Sequence, residues 1–261
     1  MQRYDDQIAV VTGASSGLGR RLAHDLAERG ARVIGLARTE AALRDLAQSS
    51  DRITCRTADV SDEAATRAIL AELHDEHGRI DVLVNAAGWE RPTRVEDGDL
   101  ALYHELFATN FFGLVNTTLA VVPGMLERGY GIVVNVSSDH GRAPAPGTPA
   151  YSASKAAVSA FTESLAHECH GRGVQVHVLY PGWVPTRLGQ GAVDGGMAMP
   201  PRLVRRTEDQ VSQKTLEVMG SNRIDINCAR LATLAPVMRA LAPAVYRSQM
   251  RKQGVGIRPS N

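Results

Sequence analysis

Six short apolar segments recur along the chain, separated by longer stretches with helical periodicity. The short segments are rich in β-branched residues, as strands buried on both faces are, and cover residues 8–12, 32–37, 53–58, 81–85, 132–137 and 174–180. The helical candidates lie near 17–29, 40–48, 62–77, 98–127 and 150–170. Strands that alternate with helices imply right-handed crossovers and a parallel sheet. The pattern predicts an α/β fold with a doubly wound, mostly parallel sheet, helices on both faces, and a single domain over residues 1–261.

The alternation stops after residue 182, and residues 223–227 form the last candidate strand. Residues 187–222 mix glycine and proline with apolar side chains, namely Leu188, Val193, Met197, Met199, Leu203 and Val204. Such a segment is typical of a mobile lid over a site, and we call it the lid. A disordered excursion without function is the alternative.

The segment 228–261 contains six basic residues and no acidic one. Its apolar residues recur at intervals of three and four, as on one helical face, at Leu231, Leu234, Met238, Leu241 and Val245. Pro236 and Pro243 would interrupt such a helix. We interpret the segment as an amphipathic cover packed on the subunit or on a partner subunit. Peripheral contact with an anionic membrane surface is the alternative.

The composition is that of an ordinary soluble enzyme. Of 261 residues 44% are hydrophobic and 22% are charged, and a net charge of +1 gives no basic footprint for nucleic acid. Cys55, Cys169 and Cys228 have no metal-like or paired spacing, and their odd number suits a reducing compartment. The N-terminus lacks the apolar core of a signal peptide, and no apolar run approaches the roughly 20 residues of a membrane span. We predict a cytoplasmic enzyme without a metal site or a nucleic-acid partner.

A glycine-rich turn, TGASSGLG at 12–19, follows the first strand where a helix must begin. Gly13 permits the tight turn, Gly17 lets the backbone approach a phosphate, and Gly19 permits close helix–strand packing. The helix N-terminus then offers N–H groups and a positive dipole end to a pyrophosphate. The candidate cofactor-binding residues of this turn are Gly13, Ser15, Ser16, Gly17, Leu18 and Gly19.

The end of the second strand bears on the choice of cofactor. A site that prefers NAD usually places an acidic residue here, to bind the ribose 2′-hydroxyl, but this chain has Ala37 and Arg38. Arginine presents a planar fork of donors that matches a 2′-phosphate. We therefore predict NADP(H) rather than NAD(H); a merely solvated Arg38 is the alternative.

Polar residues follow the next two strands, at the sheet edge where open α/β sheets bind ligands. Asp59 and Val60 follow the third strand, and Asn85, Ala86 and Gly88 follow the fourth. Asp59 is positioned to accept a hydrogen bond from an adenine amino group, or else to cap the next helix. All five are candidate cofactor-binding residues.

Four further residues are candidates for chemistry. Tyr151 and Lys155, in YSASK, are four residues apart, which stacks them on one face of a helix. Ser138 closes the fifth strand. Asn110 lies within a predicted helix, where asparagine is unfavourable, so it is either exposed or engaged in polar work.

Together these motifs resemble the short-chain dehydrogenase/reductase family over residues 7–186. The shared elements, in order, are T-G-x-x-x-G-x-G, N-A-A-G, an Asn in the fourth helix, a Ser, Y-x-x-x-K and P-G-x-V-x-T. The resemblance implies that Tyr151 is the acid/base and that Ser138 orients the carbonyl oxygen. It implies that Lys155 lowers the pKa of Tyr151 and binds the nicotinamide ribose, while Asn110 holds a relay water.

The same resemblance assigns the motif PGWVPT to the nicotinamide end of the cofactor site. Its candidate cofactor-binding residues are Pro181, Gly182, Val184 and Thr186. Tyr151 and Lys155 also count among the cofactor-binding residues. The family further implies a homodimer or homotetramer.

The prediction is an NADP(H)-dependent oxidoreductase that moves a hydride between the nicotinamide and a carbonyl compound or secondary alcohol. A non-catalytic dinucleotide sensor is the alternative, but it should lack Tyr151, Lys155 or Ser138, and all are present. An epimerase or dehydratase of the longer related type would need a larger C-terminal substrate domain.

The character of the substrate follows from residues near the predicted site. Trp89 and Trp183 should lie at the pocket mouth beside the apolar lid, which predicts a bulky, largely apolar ketone or alcohol. His140 and Arg142 favour a polar or anionic end instead.

Overall fold

Seven strands form one parallel sheet in this computed structural model, which describes residues 3–194 and 199–254. The strands are β1 Ile8–Thr12, β2 Arg32–Ala37, β3 Ile53–Thr57, β4 Val82–Asn85, β5 Gly131–Val136, β6 Val174–Tyr180 and β7 Asp225–Asn227. Their order in the sheet is β3-β2-β1-β4-β5-β6-β7. The predicted doubly wound α/β fold is confirmed, with the six apolar segments as β1 to β6 and the last candidate strand containing β7.

The helices cover both faces of this sheet. They are α1 Gly17–Glu28, α2 Glu40–Ala47, α3 Glu63–His77, α4 Leu100–Phe107, α5 Gly113–Arg128, α6 Asp139–Arg142, α7 Pro149–Cys169, α8 Arg187–Asp194, α9 Glu208–Val218, α10 Leu234–Leu241 and α11 Pro243–Gly254. Successive side chains of a strand point to opposite faces. Ala9 and Val11 of β1 therefore join one core with α1, α2 and α9, while Ile8 and Val10 join another with α3, α5 and α7.

The predicted helix near 98–127 is two α-helices, α4 and α5, joined by a π-turn at Ala108–Phe112. By length and mean hydropathy (1.4) alone, the continuous stretch Leu100–Arg128 could cross a membrane, which the sequence analysis did not anticipate. In the fold, α5 packs against α3 and against the sheet at β4 and β5. Thr117 and Thr118 of its buried face bond to Asn85 of the sheet. The buried face of α5 is therefore part of the core between the sheet and its helices.

Only part of the segment predicted as a lid borders the cavity. Residues 187–194 and 199–206 lie beside the cavity described below, but α9 begins with a capping box at Thr207 and Gln210 and packs on α1. Val211 and Leu216 are fully buried in the core. The prediction that 187–222 is one lid is therefore wrong beyond residue 206. Met197 lies outside the described residues.

The C-terminal segment contains α10 and α11. Its prolines do not break these helices, because Pro236 lies in the first turn of α10 and Pro243 is the first residue of α11. Arg239 donates a hydrogen bond to the carbonyl of Arg142 (2.8 Å), and the Tyr246 hydroxyl donates to that of Pro144 (3.0 Å). The segment thus packs on its own subunit next to the cavity. Its apolar side chains are nevertheless exposed at Leu234, Val237, Met238, Leu241 and Val245.

A buried histidine ties β6 to the turn after α9. His177 is fully buried; its Nδ1–H donates to the carbonyl of Arg223 at 2.6 Å, and its Nε2 accepts from the N–H of Gly220 at 3.1 Å. Both bonds require the neutral ring, because protonated Nε2 would face another donor. Burial lowers the pKa of His177 below its usual value.

The free energy of unfolding should therefore fall as the pH drops below about 6.5, the ordinary histidine pKa. In that range the unfolded chain binds a proton that folded His177 does not, which costs up to about 1.4 kcal/mol per pH unit. Urea unfolding between pH 7.5 and 5.5 measures this, and His177→Gln should flatten the slope. Part of the slope should persist through His140, whose pKa burial also lowers. His104→Gln, at an exposed position, should leave the slope unchanged; an equal slope in His177→Gln would contradict the prediction.

Candidate active site

The glycine turn after β1 lies directly against the end of β4. Gly13 has a positive φ of 68°, and a Cβ added there would lie 2.8 Å from the backbone of Ala86. The hydroxyl of Thr12 accepts hydrogen bonds from the N–H groups of Ala86 and Ala87, both at 3.1 Å. Only glycine fits this approach without strain. The ends of β1 and β4 are therefore fixed relative to each other.

A cavity of about 1120 Å³ extends from this turn across the carboxyl ends of the strands. Its lining includes these predicted residues: Gly13, Ser15, Ser16, Gly17, Leu18, Gly19, Arg38, Asp59, Val60, Ala86, Gly88, Ser138, Tyr151, Lys155, Pro181, Gly182, Val184 and Thr186. Small-molecule sites usually measure about 300–1,000 Å³. The volume and the phosphate-type turn at one end therefore fit a dinucleotide together with a substrate.

Asn85 does not line this cavity, so its prediction as a cofactor contact is wrong. Its amide donates to Oδ1 of Asn135 on β5 at 2.9 Å, and its Oδ1 accepts from Thr117 at 2.7 Å. The side chain points into the layer between the sheet and α5, as its bonds to Thr117 and Thr118 show. Its role is structural.

Arg38 and Asp59 lie together at the end of the cavity next to β2. The Arg38 side chain is 65% exposed, and its Nη1 is 3.9 Å from Oδ2 of Asp59. Oδ1 of Asp59 accepts bonds from the N–H and hydroxyl of Ser61, at 3.0 and 2.7 Å. The alternative role of Asp59 as a helix cap is wrong, because Asp62 caps α3 by accepting from Ala65.

Tyr151 and Lys155 are both buried on α7. Nζ of Lys155 lies 5.9 Å from the Tyr151 ring centroid and donates to the carbonyl of Val136 at 2.8 Å. Burial lowers the pKa of Lys155 to about 8, although the charge of Glu90 acts to raise it. The Lys155 ammonium is thus held by backbone, in a site of low polarity.

The pKa of Tyr151 is raised, chiefly by burial and then by the negative charge of Glu90. A hydrogen bond from Ser138 acts to lower it but does not outweigh these effects. In the protein alone, burial and the charge of Glu90 therefore set the direction of the Tyr151 pKa, because a buried phenolate loses more hydration than its neighbours return. Tyr151 is a neutral phenol that keeps its proton at neutral pH.

Ser138 is the N-cap of α6, where its hydroxyl accepts from the N–H of His140 at 3.2 Å. The His140 ring packs edge-on against Tyr151, with centroids 5.9 Å apart, and lines the cavity. Arg142 does not line it. Its guanidinium pairs with Asp139 at 2.8 Å and stacks on the ring of Tyr180. Arg142 is therefore not placed to receive an anionic substrate, contrary to the expectation.

Asn110 lies in the π-turn and is buried, so the expectation of polar work is confirmed. Its Oδ1 accepts from the N–H of Trp89, and its amide donates to the carbonyl of the same residue, both at 2.9 Å. A third bond, at 3.3 Å, reaches the hydroxyl of Ser154 on α7. The side chain thus ties the segment after β4 to α7 without lining the cavity itself.

The cavity wall beyond Tyr151 is largely apolar. It includes Trp89, Trp183, Leu188, Val193, Met199, Val204 and, from α11, Met250. Leu203 is 67% exposed and does not line the cavity, so its predicted place there is wrong.

Sequence reasoning missed Glu90, which lines the cavity within two residues of the NAAG motif. Burial raises the pKa of its carboxyl to about 7, while the charge of Lys155 acts to lower it. An acidic residue two positions after the NAAG motif was the only available signal. It also missed Met250, because a residue so far along the chain carries no motif.

Comparison with known proteins places these features in one family. A sequence model of the family described as short chain dehydrogenase matches residues 7–195. A dehydrogenase/reductase SDR family member 7B from Xenopus tropicalis is 33% identical over 94% of this chain and 84% of its own length. Sulfoacetaldehyde reductase 2 from Chromohalobacter salexigens is 38% identical over 81% of this chain and 86% of its own.

Solved structures have the same fold. A short chain dehydrogenase/reductase from Burkholderia phymatum in complex with NAD matches with a TM-score of 0.83 at 24% identity, over 94% of this chain and 96% of that one. A gluconate 5-dehydrogenase from Burkholderia cenocepacia in complex with NADP and tartrate matches with a TM-score of 0.77 at 26% identity, over 86% and 94%. Because the family model spans most of the chain and relatives align over nearly all of it, the chain belongs to the short-chain dehydrogenase family of nucleotide-binding oxidoreductases.

Proposed function

We propose that the protein is an NADP(H)-dependent oxidoreductase that interconverts a carbonyl group and a secondary alcohol. The observation that carries this proposal is the meeting of Tyr151, Lys155 and Ser138 in a cavity that begins at the glycine turn. A bound nicotinamide dinucleotide supplies or accepts the hydride at the substrate carbon. The non-catalytic sensor has no need for a buried Tyr151–Lys155 pair.

In the direction of reduction, Tyr151 donates its phenolic proton to the carbonyl oxygen as a hydride reaches the carbon. The C=O group would become CH–OH, with the proton from Tyr151 and the hydride from the dinucleotide that the cavity would hold. The Ser138 hydroxyl holds the same oxygen by a hydrogen bond, and the Lys155 ammonium stabilises the phenolate that remains. Lys155 would also hold the nicotinamide ribose. In oxidation, Tyr151 would take the hydroxyl proton as the hydride leaves the substrate carbon.

The proposed role of Asn110 is to hold a water that relays protons between Lys155 and bulk solvent. Its side chain is already bonded to Trp89 and Ser154. Backbone groups of the π-turn would therefore bind the water. Such π-helical turns are common at functional sites.

The preference for NADP(H) rests on Arg38. Its exposed guanidinium lines the cavity and is held only at 3.9 Å from Asp59, so it is available to a 2′-phosphate. Ala37 leaves no carboxylate at the end of β2 to bind a 2′-hydroxyl. The two solved structures named above contain NAD and NADP respectively, so they do not distinguish the two cofactors. The preference is therefore inferred from Ala37 and Arg38 of this chain.

The apolar wall supports a bulky, largely apolar ketone or secondary alcohol as substrate. Arg142 pairs with Asp139 instead of facing the cavity, which weakens the case for an anionic substrate. A second candidate substrate is a small anionic carbonyl compound, such as the one in the name of sulfoacetaldehyde reductase 2. The observation that favours it is Arg187 at the start of α8, which lines the cavity and is exposed, and whose positive charge would attract an anion.

The exposed apolar side chains of α10 and α11 support a homodimer or homotetramer in which a partner subunit covers them. Contact with an anionic membrane surface is the alternative, supported by basic neighbours such as Arg247 and Arg251. Location in the cytoplasm stays a prediction from the sequence.

Tyr151→Phe should abolish turnover while leaving dinucleotide binding within a few-fold of wild type, because the phenol donates the proton but is not the main cofactor contact. Steady-state kinetics and a fluorescence titration of the dinucleotide measure the two effects. Tyr130→Phe, which removes a surface hydroxyl bonded to Gln7, is the matched control. Retention of more than about a tenth of kcat, a loss under about 1.4 kcal/mol, would exclude the acid role.

Arg38→Asp should weaken NADPH binding by about 1.5–3 kcal/mol or more, because a charge-assisted bond is lost and repulsion is added. NADH binding should change little. Dissociation constants for both dinucleotides test this, with Arg44→Asp as control, since Arg44 is equally exposed but pairs with Glu40 on α2. Unchanged discrimination in Arg38→Asp would show that the 2′-phosphate is bound elsewhere.

The apolar wall predicts that kcat/KM rises as apolar bulk is added to a series of methyl ketones, by up to about tenfold for each well-buried pair of methylene groups. The measurement is a steady-state comparison with NADPH. Preference for the smallest or for anionic members would contradict the prediction and favour the second candidate.

A further inference from the structure

One carboxylate oxygen in the cavity has no partner. Oε1 of Glu90 is buried and makes no hydrogen bond among the described residues. Buried side-chain atoms of Gln7, Arg142 and Asn227 share this property, but of the four residues only Glu90 lines the cavity. A buried polar acceptor without a donor destabilises the protein, and a charged one does so more. A ligand with a donor group would remove that penalty.

The position of Glu90 is set by its neighbours along the chain. Asn110 clamps both the N–H and the carbonyl of Trp89, which directly precedes Glu90. A Cβ added at Gly88 would lie 3.4 Å from Nζ of Lys155, so this segment passes directly beside the lysine. The Glu90 side chain is therefore carried on a fixed backbone next to the reacting groups.

The effect of the Glu90 charge on its neighbours agrees with a position beside Tyr151 and Lys155. The carboxylate raises the pKa of both Tyr151 and Lys155, and burial raises its own pKa to about 7. Lys155 does not satisfy Oε1, because its ammonium donates to the carbonyl of Val136 instead. A carboxylate here also repels anions, so it acts against small hydroxy acids and sulfonates as substrates.

We propose that Glu90 selects the substrate, by accepting a hydrogen bond from a hydroxyl or amino group on the carbon next to the reacting one. The inference rests on the proposed function and narrows its substrate class. The substrates are α-hydroxy or α-amino ketones, or the vicinal diols and amino alcohols that correspond to them. The rest of the substrate is apolar and contacts the wall of tryptophan, methionine and aliphatic side chains.

The test compares three ketones on one skeleton: phenylacetone, and the ketones that carry a hydroxyl or an amino group on its benzylic carbon. For the wild type, kcat/KM should be at least about tenfold higher for each donor-bearing ketone than for phenylacetone. Glu90→Ala should remove both preferences. Glu90→Gln keeps an acceptor oxygen without the charge, so the amino preference should fall about tenfold and the hydroxyl preference much less.

Glu96→Gln is the matched control, because its carboxylate is exposed and pairs with Arg94 at 2.7 Å; it should keep both wild-type preferences. Circular dichroism and dinucleotide titration check that each variant folds. If Glu90→Ala does not fold, the test is the preference of Glu90→Gln for the amino ketone over phenylacetone. Reduction of phenylacetone without any preference for donors, or with the same preference in the Glu90 variants, overturns this inference and leaves the proposed function standing. Absence of turnover with every ketone overturns both this inference and the proposed class of bulky, apolar substrates.

Discussion

Two buried asparagines that face each other across β4 and β5 hold α5 and α7 onto the sheet. Asn85 donates to Asn135, which donates in turn to Thr162 of α7 at 3.0 Å, while Thr117 of α5 donates to Asn85. Every one of these groups is buried, so losing one partner would leave others unsatisfied at a cost of about 1–3 kcal/mol each. Because α5 and α7 are bonded to the same pair of strands, the position of Tyr151 and Lys155 relative to the sheet depends on this network.

The second constraint is the close approach of β1 and β4. The chain connects β1, β2 and β3 towards one edge of the sheet and then returns to place β4 on the other side of β1. A crevice forms where the strand order reverses, and ligands of such sheets bind there. At this point Gly13 lies against Ala86, with Thr12 bonded across the gap. The cavity follows from the topology, and the glycine turn makes its floor accessible to a phosphate.

The sheet could be predicted because its strands are short β-branched runs separated by helical periodicity, a local signal. The C-terminal end of the lid segment could not be predicted. The glycines and prolines before residue 206 drew attention away from the capping box of Thr207 and Gln210, where α9 begins. The motifs located most of the cavity lining, but a motif does not say which way a side chain points, and Asn85 points inward. The raised pKa of Tyr151 is likewise a tertiary effect, since burial depends on what packs over α7.

The side chains proposed to react and the apolar wall of the cavity are held by different contacts. Lys155 donates to the carbonyl of Val136, Asn110 grips the peptide groups of Trp89, and Ser138 caps α6. Such contacts do not depend on the side chains of the wall opposite. Much of the apolar wall comes instead from α8, the segment 199–204 and α11. Glu90 belongs to both sets of contacts. Its backbone follows Trp89, which Asn110 holds in place, and its carboxylate lines the space that a substrate would fill.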